Sequence, residues 1–583
     1  MKSLLSGNEA IARGAWEAGC HFATAYPGTP STEIIENIIK YPEIRAEWAV
    51  NEKVALEVAA GASFGGARAL AAMKHVGLNV AADPLFTLGY IGATGGLVVV
   101  SADDPNMWSS QNEQDNRHYG RHAKIPILEP ADSQEAKEFT KLAFEISEKF
   151  DTVVILRVTT RICHSTCVVT LKKRKTREPK GYQKDIKKRL MLPAHARQRH
   201  FVVEDRLEKL AAYSEIFPYN RIEWGKKDFG IITSGISYQY AKEVFPEASI
   251  LKISFSYPLP IKLIKRFARQ VKKIAVIEEG DGIMETEIKA SGIKVTGKDK
   301  IPRCGELTQT VVRQNLSKKI KMQKRPYKVP GRPPVLCPGC PHRGVFYTIN
   351  KLKLIPFGDI GCYTLGALPP LSSMDTCVCM GASVTNTHGL ENGLGKEFSS
   401  KVVAVIGDST FFHSGITGLA NAVYNKSNMN LFILDNFTTA MTGHQPHPGT
   451  GRLARGEQGK RIPPEDIAKG CGVEFLEIVD PDDLKAIEGS IKRALNYKGV
   501  SVLIFRRPCA LLLKPKPPYR VSPELCKGCR LCMRIGCPAL SLHLPEGREK
   551  PLAVIDPGLC FGCGLCAQVC TCEAILPGNK KER

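Results

Sequence analysis

Nowhere do the 583 residues hold an apolar run of about 18 or more, the length that a bilayer-crossing helix needs. The opening stretch, MKSLLSGNEAIARGAWEAG, has one lysine and no sustained apolar core ahead of a small-residue cleavage site. A secretory signal is therefore not expected, and the expected location is cytoplasmic, with no membrane partner. Acid is scarce beside base: 58 Asp and Glu face 81 Lys and Arg, a net charge of +23. The excess is concentrated. Residues 172–200 carry twelve Lys and Arg against two acids, ten of those 23 charges. No interleaved aromatics and no familiar nucleic-acid module accompany them, so nucleic acid is not the expected partner. A solvated insert, or a docking face for an acidic partner, is. Disulfides are not expected either, because a reducing compartment keeps thiols free. Yet there are twenty cysteines, and nine of them fall after residue 525. That asymmetry points to metal chemistry.

The composition, 43% hydrophobic and 24% charged, is that of a globular chain. Its length calls for roughly three to five domains. Residues 1–170 read as α/β, with a helical run at 51–73 and short apolar strands at 95–103 and 152–159. The basic insert, 171–224, follows. A second α/β pattern spans 225–320, with strands at 229–235 and 273–281. A Pro/Lys-rich connector, 321–335, holds too much proline for a helix and marks a boundary. A third α/β unit covers 330–512, and LLKPKPPYRVSP (512–523) reads as a stiff linker. The tail, 516–583, contains a repeat: LCKGCRLC at 525–532 returns as LCFGCGLC at 559–566.

The repeat is rich in chemistry. Its first copy is Cys526-x2-Cys529-x2-Cys532-x4-Cys537-Pro538, and its second is Cys560-x2-Cys563-x2-Cys566-x3-Cys570. Three cysteines at three-residue steps wrap one corner of an iron–sulfur cube, and in two-cluster ferredoxins the fourth ligand comes from the other copy. This assigns Cys526, Cys529, Cys532 and Cys570 to one 4Fe–4S cluster, and Cys537, Cys560, Cys563 and Cys566 to another. Cys572 is a rival for Cys570. Zinc is the bland alternative, but zinc sites set two Cys pairs apart by a longer loop and need four ligands only.

A second site lies in KVVAVIGDSTFFHSGITGLANAVYNKSNMNLFILDN (401–436). Val402–Ile406 and Leu431–Leu434 suit a buried parallel sheet. Gly407 and Asp408 end the first strand, and Asp435 and Asn436 end the second, so both ends face one crevice. Asp408, Asn436 and the carbonyl of Thr438 form an oxygen donor set for Mg²⁺, which a bound diphosphate requires. Ser409 lies beside them. A helix starting near Ser414 is expected to aim its N-terminus at the phosphates. The pattern resembles the thiamine-diphosphate motif, GDG followed by NN, here GDS and DN. Thiamine also needs a carboxylate against its aminopyrimidine. Glu52, opening a helix rich in small residues, resembles that glutamate, with Glu57 as competitor.

With these pieces placed, the chain resembles the 2-oxoacid:ferredoxin oxidoreductases, specifically the large subunit of the indolepyruvate type, over nearly its whole length. The resemblance implies a multidomain α/β thiamine-diphosphate fold: pyrimidine-binding domain 1–170, basic insert 171–224, transketolase-C-like domain 225–320, diphosphate-binding domain 330–512, and ferredoxin-like α+β domain 516–583. AYPGTPSTEI (25–34) resembles the loop that sets a threonine, here Thr29, near the reacting 2-oxo acid. SSQNEQDNRHYGRHAKIPILEP (109–130) resembles the indolepyruvate type and offers Arg117 and Arg121 for the substrate carboxylate. So do GDSTFFHSGI (407–416) and MTGHQPHPGTG (441–451), with His413, His444 and His447 as near-substrate candidates. LCPGCPHRG (336–344) and GDIGCYTLG (358–366) resemble the segments that hold a third cluster, implying ligands Cys337, Cys340, Cys362 and Cys509, with Cys377 and Cys379 as rivals. The implied reaction is oxidative decarboxylation of indolepyruvate, phenylpyruvate or hydroxyphenylpyruvate to the aryl-acetyl-CoA and CO2, with electrons passing to ferredoxin. Coenzyme A is the implied co-substrate. The implied partner is a smaller β subunit of about 200 residues, the size of a single domain, in a heterodimer or heterotetramer.

Overall fold

The protein, seen in a computed structural model, is described over residues 1–317, 330–331, 333–395 and 401–578. Most of the expected connector, 321–335, lies outside these residues. The chain forms two compact units, Met1–Pro326 and Tyr327–Arg583.

The first unit is built on a seven-stranded sheet. In spatial order its strands are Phe255–Tyr257, Ile127–Leu128, Val153–Thr159, Leu97–Asp103, Ala69–Lys74, Phe22–Ala25 and Arg45–Trp48. All neighbours run parallel except Phe255–Tyr257, which pairs antiparallel with Ile127–Leu128. The central strands are apolar on both faces, as a parallel sheet covered by helices requires. Leu70, Ala72, Val98, Val100, Val154 and Leu156 pack on one side. Ala69, Ala71, Leu97, Val99, Val153 and Ile155, one residue out of phase, pack on the other. A second sheet takes the order Ile274–Ile277, Lys226–Ser234, Ala248–Ile253, Arg221–Glu223.

The helical run expected over 51–73 is shorter than its periodicity implied. The helix is Glu52–Phe64, and Ala69–Lys74 is a fully buried strand. Gly65 and Gly66 end the helix, Gly66 at φ +81°, and sheet burial then overrides the helix preference of ALAAMK.

The basic insert is not simply a solvated face. It runs as a strap across the unit and then enters a helix, Pro193–Glu215. Arg174 donates to the carbonyls of Trp16 (2.8 Å), in the last turn of the helix Gly7–Glu17, and of Cys20 (3.0 Å), just beyond it. Arg199 donates to the carbonyl of Tyr90 (2.8 Å) in the last turn of the helix Ala82–Ile91. Arg206 meets the carbonyls of Gly89 and Asp151. These cations satisfy carbonyls left without an intrahelical donor at helix ends, where the backbone dipole favours positive charge. Lys172 and Lys175 remain largely in solvent.

The second unit holds a five-stranded parallel sheet in the order Ile355–Phe357, Val402–Gly407, Asn430–Asp435, Ser501–Arg506, Phe475–Val479. Two short antiparallel ribbons follow: Tyr519–Val521 with Ile575–Pro577, and Leu540–His543 with Leu552–Ile555. Tyr519–Val521, expected within the proline-rich linker, is thus a strand. Among the described residues no helix is long and apolar enough to cross a membrane.

Candidate functional site

In the second unit, parallel strands bring Asp408 and Asn436 to one sheet edge. Asp408 is buried; its Oδ1 accepts the Ser409 N–H (2.9 Å) and its Oδ2 accepts the Asn436 N–H (3.2 Å). Asn436 Oδ1 accepts the Thr438 N–H (3.2 Å). Phe437 between them sits at φ +61°, a left-handed conformation that bulky residues rarely take and that clusters at functional sites. The three residues expected to supply the oxygen donors are therefore linked by hydrogen bonds. Burial pushes the Asp408 carboxyl up, yet His447, whose Nε2 lies 3.1 Å from Oδ2, holds it below the usual range. Burial and the neighbouring Asp408 raise Asp435 to about 6, even with Arg506 at 2.7 Å. Gly407 is required here, since a Cβ would lie 2.6 Å from the Tyr363 ring.

The helix after Gly407 begins at Asp408, not near Ser414, and passes through a π-helical turn, Phe411–Gly415. Such turns are frequent at functional sites. Of the three candidate histidines, His447 joins Asp408, and His444 Nε2 lies 3.7 Å from Cys509 Sγ. His413 is on the π turn, hydrogen-bonded to Ser414 (2.7 Å). His342 was not anticipated from sequence. It is buried, its Nε2 stands 3.5 Å from Asn436 Nδ2, and burial lowers it to about 4, so it is neutral.

In the first unit, Asn51 caps the helix Glu52–Phe64, accepting the Val54 N–H at 2.9 Å. Glu52 is buried against Gly77, where a Cβ would come within 2.5 Å of its Oε1. Glu57 is an exposed partner of Lys53. Thr29 is half-buried, and its carbonyl accepts from Ser109 Oγ at 3.3 Å. Lys74 donates to the same Ser109, through its carbonyl (2.6 Å) and its Oγ (3.2 Å). Burial lowers Lys74 to about 8, against the pull of Asp104 and Glu52. Sequence reasoning missed this buried cation because it placed 69–73 in a helix. As the last residue of a parallel strand, Lys74 shares the sheet edge with the loop carrying Thr29.

Arg117 does not fit the role set out for it. It is buried in a charge network, donating to Glu278 (2.6 Å), Asp115 (2.9 Å) and the carbonyls of Glu279 and Asp281 (2.9 Å each). A guanidinium so committed is structural. Arg121 is about half exposed and pairs with Glu287 at 3.2 Å.

The tail cysteines line two cavities. Cys526, Cys529, Cys532 and Cys570 line one, and Cys572 reaches it too, its Sγ 3.7 Å from that of Cys570. Cys537, Cys560, Cys563 and Cys566 line the other. Burial raises Cys532 and Cys563 to about 11, with neighbouring sulfurs adding to it. Four thiolates per cavity therefore call for a compensating cationic group. Among the described residues no three His, Cys, Asp or Glu converge on a single-ion site. Cys337, Cys340, Cys362 and Cys509 form a third electrostatic neighbourhood, whereas Cys377 and Cys379 face Asp359 and each other.

Residues 13–216 match the pyruvate flavodoxin/ferredoxin oxidoreductase thiamine-diphosphate-binding family. Residues 359–505 match the C-terminal TPP-binding domain of thiamine pyrophosphate enzymes. The indolepyruvate oxidoreductase subunit IorA of Archaeoglobus fulgidus is 45% identical over 92% of this chain and 92% of its own. That of Thermococcus kodakarensis is 44% identical over 99% and 97%. The chain belongs to the indolepyruvate oxidoreductase subunit IorA family. A solved 2-oxoglutarate:ferredoxin oxidoreductase from Magnetococcus marinus aligns over 55% of this chain and 65% of its own, at 19% identity and TM-score 0.45. As a member of the indolepyruvate oxidoreductase family, the chain is an oxidoreductase subunit with a multidomain α/β fold that binds thiamine diphosphate.

Proposed function

We propose that this subunit catalyses ferredoxin-dependent oxidative decarboxylation of arylpyruvates to aryl-acetyl-CoA and CO2. It does so with Mg²⁺ at Asp408, Asn436 and Thr438 and with 4Fe–4S clusters in the two tail cavities. The observation that carries the reading is the presence, on one chain of this family, of a buried oxygen-donor loop and two cysteine-lined cavities. A non-oxidative thiamine enzyme has no use for the cavities. The domains follow the same reading: 1–170, 225–320, 330–512 and the ferredoxin-like 516–583.

Thiamine diphosphate supplies a nucleophilic carbon and an electron sink when bound. The rest falls to side chains. Asp408, Asn436 and Thr438 hold the metal, and His447 fixes the Asp408 carboxylate in orientation. Glu52, buried and backed by Gly77, serves as the proton-exchanging carboxylate for the aminopyrimidine. Thr29 borders the 2-oxo acid, and Lys74, a desolvated ammonium beside the Thr29 loop, attracts its carboxylate. The cysteines of the tail hold the groups that take electrons one at a time. Cys337, Cys340, Cys362 and Cys509 hold a third cluster. A smaller β subunit completes the enzyme, and acidic ferredoxin removes the electrons.

The test is anaerobic co-expression with the smaller subunit, quantifying iron, acid-labile sulfide and thiamine, and comparing CoA-dependent acceptor reduction with arylpyruvates, pyruvate and 2-oxoglutarate. Arylpyruvate turnover with eight or more irons per chain (four per cubane) is expected. Zinc without sulfide refutes the cluster assignment, and turnover confined to pyruvate or 2-oxoglutarate refutes the substrate assignment.

A further inference from the structure

Arg343 lies in the second unit, in CPGCPHRG, and is 2% exposed. Its guanidinium reaches two cysteine loops at once. Nε donates to the carbonyl of Cys337 at 3.1 Å, and one terminal nitrogen meets the carbonyl of Leu336. The other terminal nitrogen meets the carbonyls of Ile535 (3.2 Å) and Gly536, just before Cys537. It also lines the cavity surrounded by Cys537, Cys560, Cys563 and Cys566. Among the described residues no carboxylate pairs with it. Its electrostatic neighbours are sulfurs: Cys537, Cys340, Cys563 and Cys337.

The two loops also touch directly. Gly339, at φ +70°, leaves no room for a Cβ, which would lie 2.3 Å from the Phe561 ring. Its N–H reaches toward Cys537. A buried cation is costly unless negative charge faces it. Among the described residues the negative charge that faces it is that of the cysteine sulfurs and of what they hold.

We propose that Arg343 is a positioning and potential-setting residue: it clasps the 336–340 loop to the 535–537 loop and raises the reduction potential of the cluster held by Cys537, Cys560, Cys563 and Cys566. The inference rests on the cluster reading above and extends it to how the site is tuned. A fixed positive charge favours the reduced, more negative state of a cluster, and hydrogen bonding and net charge are the protein's levers on such potentials. The cluster of Cys526, Cys529, Cys532 and Cys570 does not face Arg343, and its potential does not depend on it.

The test is an EPR-monitored redox titration of the full chain, purified anaerobically with its smaller subunit, for wild type, Arg343→Met, Arg343→Gln and Arg343→Lys. Cys529→Ser and Cys563→Ser assign the two tail signals. Met and Gln are expected to lower the reduced-to-oxidised ratio of the Cys563 cluster at least tenfold at a fixed poise, a shift of about 59 mV for one electron. Lys is expected to restore most of it, and the Cys529 cluster should stay put. If Met fails to take up clusters, Gln and Lys carry the same comparison. Titrations of Gln and Met that overlay wild type, or a Lys variant shifted as far as Gln, overturn the charge role while leaving the clusters in place. A wild-type chain with no acid-labile sulfide overturns the cluster reading itself.

Discussion

Single residues decide the thiamine half of the chemistry, and they differ by environment more than by type. Glu52 and Glu57 lie five residues apart on the same helix, yet one is buried against Gly77 and the other is paired with Lys53 in solvent. Glu52→Gln is expected to lower turnover by about 10²–10⁴-fold, the range for losing a positioned acid or base, while Glu57→Gln leaves it within about twofold. Gly77→Ala offers the finer probe, because its methyl would collide with the Glu52 carboxylate. It should reproduce much of the Glu52→Gln loss with thiamine diphosphate still bound, as read by steady-state kinetics beside calorimetric titration of the cofactor. Equal activity in Glu52→Gln and Glu57→Gln would remove Glu52 from the site. Lys74→Met should raise KM for the arylpyruvate by roughly 10–100-fold, the worth of a charge-assisted hydrogen bond, with kcat less affected. An unchanged KM would leave Lys74 a structural cation only.

Elements show what the sequence made legible and what it did not. The tail's repeated turns could be read from spacing alone, because the repeat is local: Gly528 and Gly562 are both at positive φ, and Arg530 takes the left-handed conformation of its counterpart Gly564. The strands ending in Asp408 and Asn436 were legible as apolar runs closed by turn residues. Ala69–Lys74 was not, since alanine, leucine and methionine favour a helix and only burial on both faces makes them a strand. Arg117 was misread for a related reason: its partners Glu278, Glu279 and Asp281 lie more than 160 residues away, and no local pattern announces them. The basic strap misled in the same way, because charge counts do not reveal which cations meet helix ends. Arg206 makes that testable. Burial lowers its guanidinium to about 10, and it serves the carbonyls of Gly89 and Asp151. Arg206→Met leaves both without that donor and should cost about 2–3 kcal/mol in urea unfolding, since stranded buried acceptors lose their desolvation energy outright. A solvated insert would give a change under about 0.5 kcal/mol.

At the scale of the whole molecule, a net charge of +23 does not mean that the interior is basic. The first unit buries Asp103, Asp115, Glu129, Glu278 and Glu279 around Arg117 and Arg157. Five carboxyls and two guanidinium groups leave an excess of acid in the core while the surface carries the excess of base. Burial raises Asp103 and Glu278 along with Glu279, a carboxylate with one orphaned oxygen. Its Oε1 accepts the Leu307 N–H at 2.8 Å, its Oε2 has no partner, and burial raises it from 4.5 to about 7 despite Arg157 and Lys298, with Glu306 adding to the rise. An acid whose pKa is raised by folding helps stability most below its unfolded value and loses that contribution as pH climbs through its folded one. Folding stability of the wild type should therefore decline between about pH 4.5 and pH 7 on this group's account. Glu279→Gln keeps an acceptor for Leu307 and stays neutral throughout. Its advantage over wild type should grow across that window and level off above it, by up to about 3 kcal/mol from a shift of this size. Urea midpoints of both proteins at pH 5, 6, 7 and 8 measure it, and parallel curves at every pH would mean that the carboxylate keeps its charge in the folded state with water or a neighbour supplying what Oε2 lacks.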